Sequence, residues 1–184
     1  MSPKKWETSE QQERGEFSIF RVKEVQGVSP RTGEELKFYL LECNDWVNVI
    51  AFTVEGEVVM IRQYRFGTQQ VELEIPGGVI EDGETPEEAA VRELEEETGY
   101  KGGEISYLGS VSPNPAFHTN HCHTVVIQGV KPEGEQSLDP GEDLEVELMP
   151  LADIPGLIAD GTVRHSLVMA AFQLLGLAVD TSDE

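Results

Sequence analysis

A carboxylate-rich segment at residues 77–100, GGVIEDGETPEEAAVRELEEETGY, is the part of the sequence that most constrains the fold. Thr85 and Glu88 have the spacing of a helix capping box, and Pro86 occupies the first helical position. Gly99 is the residue type that commonly ends a helix in the left-handed conformation. The sequence therefore predicts a helix between Thr85 and Gly99.

Three acidic residues of this helix lie on one face. Glu93 precedes Glu96 by three positions and Glu97 by four. Each close pair of like charges costs on the order of a few kcal/mol at an effective dielectric constant near 20. A solvated acidic face would interleave several cations, whereas only Arg92 is interleaved here. Because a divalent cation takes oxygen ligands, the pattern predicts a metal site, and the alternative is an acidic surface helix.

The polar and glycine residues of the segment stand at fixed spacings, in the order Gly78, Glu84, Arg92, Glu93, Glu96, Glu97 and Gly99. With this spacing the segment resembles the Nudix hydrolase box, G-x5-E-x7-R-E-U-x-E-E-x-G-U. Tyr100 is the single departure, since the pattern prefers an aliphatic residue there, and it affects packing only. The resemblance implies an α+β Nudix fold. A mixed β-sheet is then sandwiched between helices, and here an extra N-terminal antiparallel strand unit is added. The order of strands and helices predicted along the chain fits that architecture.

The resemblance also implies roles for individual residues. The expected ligands of a divalent metal, Mg²⁺ or Mn²⁺, are carboxylates and one backbone carbonyl: Gly77, Glu93, Glu96, Glu97 and Glu142. The expected catalytic residues are Glu142, Glu96 and Arg92. In this scheme Arg92 orients the glutamates by ion pairing, and Glu84 supports the loop before the helix.

Glu142 belongs to an acidic loop, DPGEDLEV at residues 139–146, which follows the box and precedes a predicted strand. The family places a catalytic or metal-bridging glutamate there. Aligning the apolar residues of the strand favours Glu142 and leaves Asp143 as the alternative. Some members carry a second acid where this chain has Pro140. The alternative is that this loop is an acidic surface turn without a catalytic role.

The residues that precede the box narrow the substrate class. QYR at 63–65 and ELEIPGG at 72–78 resemble ADP-ribose pyrophosphatases and related nucleoside-diphosphate-sugar hydrolases. In that subgroup the arginine matching Arg65 contacts the substrate diphosphate, and the glutamate matching Glu74 lies in the pocket. The likeness extends over residues 17–175, strongly in the box and less strongly elsewhere.

A loop after the box contains His118, His121, Cys122 and His123. A zinc site would need closed, paired ligand geometry, and the sequence supplies no second pair. A substrate-loop role for one histidine, His118 or His121, is a further interpretation, and His118 is the candidate substrate-binding residue. Trp46 and Phe20 are candidates to stack on a base, although buried aromatic residues are the commoner case.

Composition excludes several partners. The formal net charge of −22 over 184 residues argues against nucleic acid and anionic membranes, which attract basic surfaces. Two cysteines, with no C-x-x-C motif, predict a reduced cytoplasmic setting. The longest apolar stretch, at residues 166–179, is too short to span a bilayer and predicts a buried helix.

Three regions are expected along the chain. Residues 1–15 are polar and predict a flexible N-terminus, residues 16–45 an N-terminal β-strand unit for dimerisation, and residues 46–184 the Nudix hydrolase domain. The subgroup forms homodimers whose N-terminal strands help to build the partner's site. Arg21 is therefore expected to bind substrate, and the alternative is a hairpin packed on its own subunit.

These observations predict a divalent-metal-dependent pyrophosphohydrolase. It would cleave the diphosphate of ADP-ribose or another nucleoside-diphosphate sugar to a nucleoside monophosphate and a sugar phosphate. A Nudix hydrolase of dinucleoside polyphosphates, oxidised nucleotides or coenzyme A is the alternative. A non-enzymatic nucleotide-sensing domain is disfavoured because all the box glutamates are present.

Overall fold

The computed structural model describes residues 2–180, which form two compact units. The smaller unit holds residues 2–44 and 112–121, and the larger unit holds residues 45–111 and 122–180. None of the helices in these described residues is both long and apolar enough to cross a membrane.

The smaller unit is an antiparallel sheet built around one central strand. Its strands are β1 (Glu7–Thr8), β2 (Gln12–Phe17), β3 (Phe20–Val28) and β4 (Glu35–Glu42). The three other strands all pair with β3. Residues 112–121 join this unit through β4, where the Leu41 N–H donates to the Phe117 carbonyl over 2.8 Å.

Strand pairing in the smaller unit begins earlier than the polar composition predicts. β2 begins within the segment expected to be flexible, and its side chains are mostly exposed. Ion pairs across the strands replace apolar burial. Arg14 lies 2.9 Å from Glu24, and Lys23 lies 3.1 Å from Glu13. Opposite charges on neighbouring strands stabilise pairing, so a segment without an apolar pattern still forms a strand.

The larger unit contains a mixed sheet and three helices. Its strands are β5 (Trp46–Thr53), β6 (Glu57–Arg65), β7 (Gln70–Glu74), β8 (Gly77–Val79), β9 (Tyr100–Lys101), β10 (Glu104–Val111), β11 (Cys122–Pro132) and β12 (Leu144–Pro150). Its helices are α1 (Pro86–Thr98), α2 (Ile154–Ala159) and α3 (Ser166–Asp180). The strand order is β10-β11-β5-β6-β12, with β7 beside β6 and β8 beside β5. β11 and β5 run parallel and the other pairs are antiparallel.

Both faces of this sheet are covered by helices. Val49 of β5 belongs to a buried cluster with Ala90 and Leu94 of α1. Ile50, the next residue, belongs to a second buried cluster with Val168 of α3. Successive residues of a strand face opposite sides, so β5 is apolar throughout because both of its faces are buried. The predicted α+β architecture, with a mixed sheet sandwiched between helices, is confirmed.

Helix α1 has the predicted ends. Thr85 and Glu88 make both hydrogen bonds of the capping box. Gly99 adopts φ 72° and donates its N–H to the Glu95 carbonyl. Helix α2 was not predicted, because Pro155 and Gly156 indicate a turn rather than a helix. Pro155 is tolerated because it stands in the first turn, where its missing N–H is not needed.

Candidate active site

A cleft of about 660 Å³ lies in the larger unit. Strands β5 to β8 and the segment leading into α3 line most of it. Its polar and aromatic lining residues include Trp46, Asn48, Arg65, Phe66, Thr68, Glu72, Glu74, Arg164 and His165. The backbone of Gly77 and Gly78 also lines the cleft, and it is this backbone that connects the cleft to the acidic face of α1.

The two glycines let the chain pass close to its neighbours. A Cβ atom on Gly77 would lie 2.1 Å from the carbonyl oxygen of Val47. The Gly77 N–H donates to Glu97 Oε2 over 2.9 Å. A Cβ atom on Gly78 would lie 2.3 Å from Glu93 Oε1. Glycine at position 77 allows β8 to lie against β5, and glycine at position 78 leaves room for the Glu93 carboxylate.

Arg92 holds the acidic face in place. It donates two hydrogen bonds to Glu84, each over 2.9 Å, and one to Glu93 over 2.9 Å. It also donates to Glu96 over 3.2 Å and to the Val79 carbonyl over 3.0 Å. Hydrogen bonding to Glu84 raises the pKa of Arg92, and the Arg92 guanidinium in turn lowers the pKa of Glu84. Arg92 therefore has the contacts predicted for the residue that orients the box glutamates.

Burial sets the protonation of two box glutamates. Glu97 is 3% exposed, and its burial raises the pKa of its carboxyl to about 8, with the charges of Glu93 and Glu142 acting in the same direction. Burial also raises the pKa of Glu93, against the opposing effect of Arg92. Taking two like charges out of water is unfavourable unless a cation compensates. Glu96 is more exposed than either.

Glu142, in the loop before β12, lies near enough for its charge to act on the box glutamates. It contributes to the raised pKa of Glu93, of Glu97 and of Arg65. The loop holds Glu142 through its own backbone, because the Asp139 N–H donates to Glu142 Oε2 over 3.0 Å. Asp143 is exposed, whereas Glu142 is half-buried. Glu142 is thus the better placed of the two predicted bases.

The donor set fits a hard divalent cation. Within residues 2–180, no three His, Cys, Asp or Glu side chains stand close enough together to hold a metal ion as they are. One nitrogen of Arg92, Nη1, donates to both Glu93 and Glu96, whereas Glu97 accepts from the Gly77 N–H. Carboxylates packed on a glycine backbone nevertheless offer the oxygen ligands that Mg²⁺ and Mn²⁺ prefer. The same finding gives no support to a zinc site at Cys122 and the neighbouring histidines.

Arg65, which is partly exposed, forms an ion pair with the buried Glu74 on the wall of the cleft. Arg65 donates from Nε over 2.9 Å and from Nη2 over 2.8 Å. Glu74 is 2% exposed, and its Oε2 lies 3.8 Å from His165 Nδ1. Both predicted substrate-binding residues of the larger unit therefore line the cleft.

A second pair of the same kind was not predicted. Arg164 donates from Nε and from Nη2 to Glu72, each over 2.7 Å. Thr68 donates to Glu72 Oε1 over 2.7 Å, and Gln70 accepts a further hydrogen bond from Arg164. Glu72 and Glu74 alternate along β7, which places them on one face of the strand. Two acids at alternate positions of a strand indicate that both side chains lie on one face, and both are buried here. A buried carboxylate is stable only beside a cation, so the pattern calls for two basic partners.

Two other predicted substrate-binding residues lie in the smaller unit. Arg21 donates to Glu16 over 2.9 Å and lies 3.8 Å from Glu42. The His118 N–H donates to the Asn114 carbonyl over 2.8 Å, and its ring packs edge-on against Phe117. These contacts lie inside the smaller unit.

Comparisons with known proteins agree with this geometry. Residues 45–172 match the model of the NUDIX domain. The ADP-ribose pyrophosphatase of Bacillus subtilis is 32% identical over 83% of this chain and 83% of its own length. The methanol dehydrogenase activator of Bacillus methanolicus is 34% identical over 84% of each chain. A crystal structure of an ADP compounds hydrolase, 25% identical, superposes with a TM-score of 0.86 over 99% of this chain and 98% of its own.

Proposed function

This chain belongs to the Nudix hydrolase family, and from that premise we propose that it is a divalent-metal-dependent pyrophosphohydrolase of nucleoside-diphosphate sugars, ADP-ribose first among them. It cleaves the diphosphate to a nucleoside monophosphate and a sugar phosphate. The observation that carries the proposal is the packing of Glu93 and Glu97 against the Gly77–Gly78 backbone, at the edge of a cleft that also holds Arg65.

The proposed metal is Mg²⁺ or Mn²⁺, since Nudix hydrolases generally need a divalent metal. Its proposed ligands are the carboxylates of Glu93, Glu96, Glu97 and Glu142 and the carbonyl of Gly77. When bound, the ion supplies positive charge beside the diphosphate and with it Lewis-acid chemistry. The raised pKa of Glu97 supports this assignment, because a buried carboxylate without a cation is costly.

The remaining chemistry belongs to the side chains. Glu142 accepts a proton from the attacking water, whose oxygen bonds to one phosphorus while the bridging P–O bond breaks. A general base of this kind contributes about 10²- to 10⁴-fold to the rate. Arg65 donates to the diphosphate, with Glu74 fixing its guanidinium. Arg92 orients the glutamates.

The substrate class rests on the relatives. Besides the Bacillus subtilis enzyme, the ADP-sugar pyrophosphatase of Mus musculus is 41% identical over 72% of this chain and 64% of its own length. Dinucleoside polyphosphates, oxidised nucleotides and coenzyme A are the competing substrates.

A hydrolysis screen tests the proposal. ADP-ribose, GDP-mannose, UDP-glucose and diadenosine polyphosphates are each incubated with Mg²⁺ or Mn²⁺, and the products are separated by chromatography. We expect AMP and ribose 5-phosphate from ADP-ribose at the highest kcat/KM. Glu97→Gln is the matched inactive control. Faster hydrolysis of a dinucleoside polyphosphate would reject the substrate class, and turnover in excess EDTA would reject the metal requirement.

We also propose a homodimer in which residues 16–45 serve dimerisation and residues 46–184 form the hydrolase domain. Arg21 would then act at the partner's site, and His118 keeps its proposed role in binding substrate. The support is the exposed apolar surface of the smaller unit, which includes Phe17, Phe38 and Tyr39. Surfaces of this kind mark interfaces. A cytoplasmic setting is proposed from the low cysteine content.

A further inference from the structure

Two arginines on the cleft wall are held in the same way by two neighbouring glutamates. Glu74 accepts from Nε and Nη2 of Arg65, and Glu72 accepts from Nε and Nη2 of Arg164. Because Glu72 and Glu74 are two positions apart on β7, the two carboxylates stand about 7 Å apart along the strand. The wall therefore carries two fixed guanidinium groups side by side.

The glutamates fix these guanidinium groups and leave part of each available. Glu72 is 4% exposed and Glu74 2%, so neither carboxylate moves without disturbing the core. About two-fifths of each arginine side chain is exposed. In residues 2–180, no protein group accepts a hydrogen bond from Nη1 of either arginine. Each Nη1 thus presents donors to whatever fills the cleft.

The surroundings of Arg164 suit a neutral, hydroxyl-rich group. Arg65 lies nearer the box carboxylates than Arg164 does, because Glu97 and Glu142 contribute to the raised pKa of Arg65, whereas Glu72 is the acid that raises the pKa of Arg164. A group of the substrate beyond the diphosphate therefore reaches Arg164. Thr68, His165 and Ser166 line the cleft with it. A nucleobase would stack on the aromatic side chains of the cleft, Trp46 or Phe66, whereas sugar hydroxyls need polar partners such as those around Arg164.

We propose that Arg164, positioned by Glu72, is a specificity-determining residue that donates from Nη1 to a hydroxyl oxygen of the substrate's sugar, beside the diphosphate held by Arg65. This assignment rests on the proposed function and adds the residue that distinguishes a sugar from a smaller group on the same diphosphate. Glu72 does not touch the substrate in this scheme and acts through Arg164.

Two substrates separate this role from others. ADP-ribose carries the sugar, and the β-methyl ester of ADP carries the same diphosphate without it. We expect Arg164→Gln to lower kcat/KM for ADP-ribose by about 10- to 100-fold, the usual weight of hydrogen bonds from a charged donor. The value for the methyl ester should stay within about twofold of wild type. Glu72→Gln should also lower the ratio of kcat/KM for ADP-ribose to kcat/KM for the methyl ester, but by a smaller factor than Arg164→Gln does.

Arg62→Gln is the matched control. It breaks an Arg–Glu pair of 2.7 Å between β6 and β12, and Arg62 does not line the cleft. We expect both kcat/KM values to be unchanged. Arg164→Lys, which keeps the charge but loses the two-point contact with Glu72, should give an intermediate ratio and provides a second variant if Arg164→Gln folds poorly.

Equal losses of kcat/KM for the two substrates would show that Arg164 contacts the adenosine diphosphate part of the substrate. That result would overturn the inference. No loss on either substrate would overturn it as well, since Arg164 would then make no substrate contact. If the wild-type protein hydrolyses neither compound, the proposed function fails and the inference fails with it. Wild-type turnover therefore reports on the function, and the ratio of the two substrates reports on Arg164.

Discussion

Glu93 Oε1 occupies the space beside Gly78 that a side chain would need, because a Cβ atom built there would lie 2.3 Å away. The glycine of the box thus leaves room for the carboxylate of Glu93 in the following helix, and its own φ does not call for glycine. We expect Gly78→Ala to displace Glu93 and to lower kcat/KM by about 10²-fold, the effect of a misplacement of about 1 Å.

The control for that variant is Gly156→Ala in helix α2, where a Cβ atom would meet nothing within 4 Å. Its activity should equal that of wild type, and its stability should rise slightly because alanine favours a helix over glycine. Steady-state kinetics and thermal melts measure both. Activity of Gly78→Ala within threefold of wild type would show that Glu93 is not positioned by this contact.

A second prediction concerns Glu97. Glu97→Gln should nearly abolish turnover, since a proposed metal ligand is lost. The metal-free protein should melt at a higher temperature than wild type at pH 8, because burying an amide costs less than burying a carboxylate. The amide oxygen can still accept the hydrogen bond from the Gly77 N–H.

Glu95→Gln is the control on the same helix. Glu95 pairs with Lys101 over 2.9 Å and is partly exposed. We expect near wild-type turnover and an unchanged melting temperature in EDTA. Turnover of Glu97→Gln within tenfold of wild type at saturating Mg²⁺ would reject the ligand assignment.

A third prediction distinguishes the two loop acids. Glu142→Gln should lower kcat by about 10²- to 10⁴-fold with a smaller change in metal affinity. Asp143→Asn should have little effect, because Asp143 is exposed while the charge of Glu142 acts on Glu93 and Glu97. A large loss of kcat in Asp143→Asn alone would show that Asp143, rather than Glu142, is the general base.

A fourth prediction concerns acid stability. Hydrogen bonding to Arg164 lowers the pKa of Glu72 from 4.5 to about 2. On acidification the unfolded chain binds this proton before the folded chain does. The stabilisation by Glu72 is therefore complete above pH 4.5 and is lost as the pH falls towards 2.

Urea unfolding at pH 6, 4 and 3 checks this prediction. The gap between the wild-type and Glu72→Gln midpoints should narrow as the pH falls. Glu147→Gln, in the exposed pair with Arg62, should change the midpoint little at any of these pH values. A gap for Glu72→Gln that is constant between pH 6 and pH 3 would contradict the assigned pKa.

A fifth prediction tests the shared site of the proposed dimer. Light scattering should give twice the chain mass of 20.4 kDa at micromolar concentration. Arg21→Gln and Glu97→Gln, each impaired alone, should recover about a quarter of wild-type activity when the two chains are mixed and exchanged. Half of the dimers are then mixed, and one of their two sites has both residues intact. No recovery would place Arg21 outside the partner's site, and a monomer would dispose of the dimer itself.

The sequence predicted the box helix and its polar contacts because these depend on short spacings. Thr85, Arg92, Glu93 and Glu97 are placed by one helix and its cap, so counting positions gives their geometry. The fold class followed from the same motif and from the order of the predicted strands and helices.

The Arg164–Glu72 pair could not be predicted in that way. Its two residues are far apart in the sequence and meet only because α3 begins beside β7 in the folded chain. Glu72 stands in the ELEIPGG segment at 72–78, but no spacing in the sequence connects it to Arg164. Strand β2 was missed for a different reason, since ion pairs such as Arg14 with Glu24 leave no apolar periodicity to detect.

The parallel pairing of β5 with β11 has a consequence for how the protein folds. Trp46 pairs with Cys122, and Thr53 pairs with Val130, with strands β6 to β10 and helix α1 lying between them in the chain. Closing so long a loop costs chain entropy before the strands gain any contact. Proteins dominated by such distant contacts fold slowly. We therefore expect the hairpin of β6 and β7, with its Arg65–Glu74 pair, to form early and the centre of the sheet to form late.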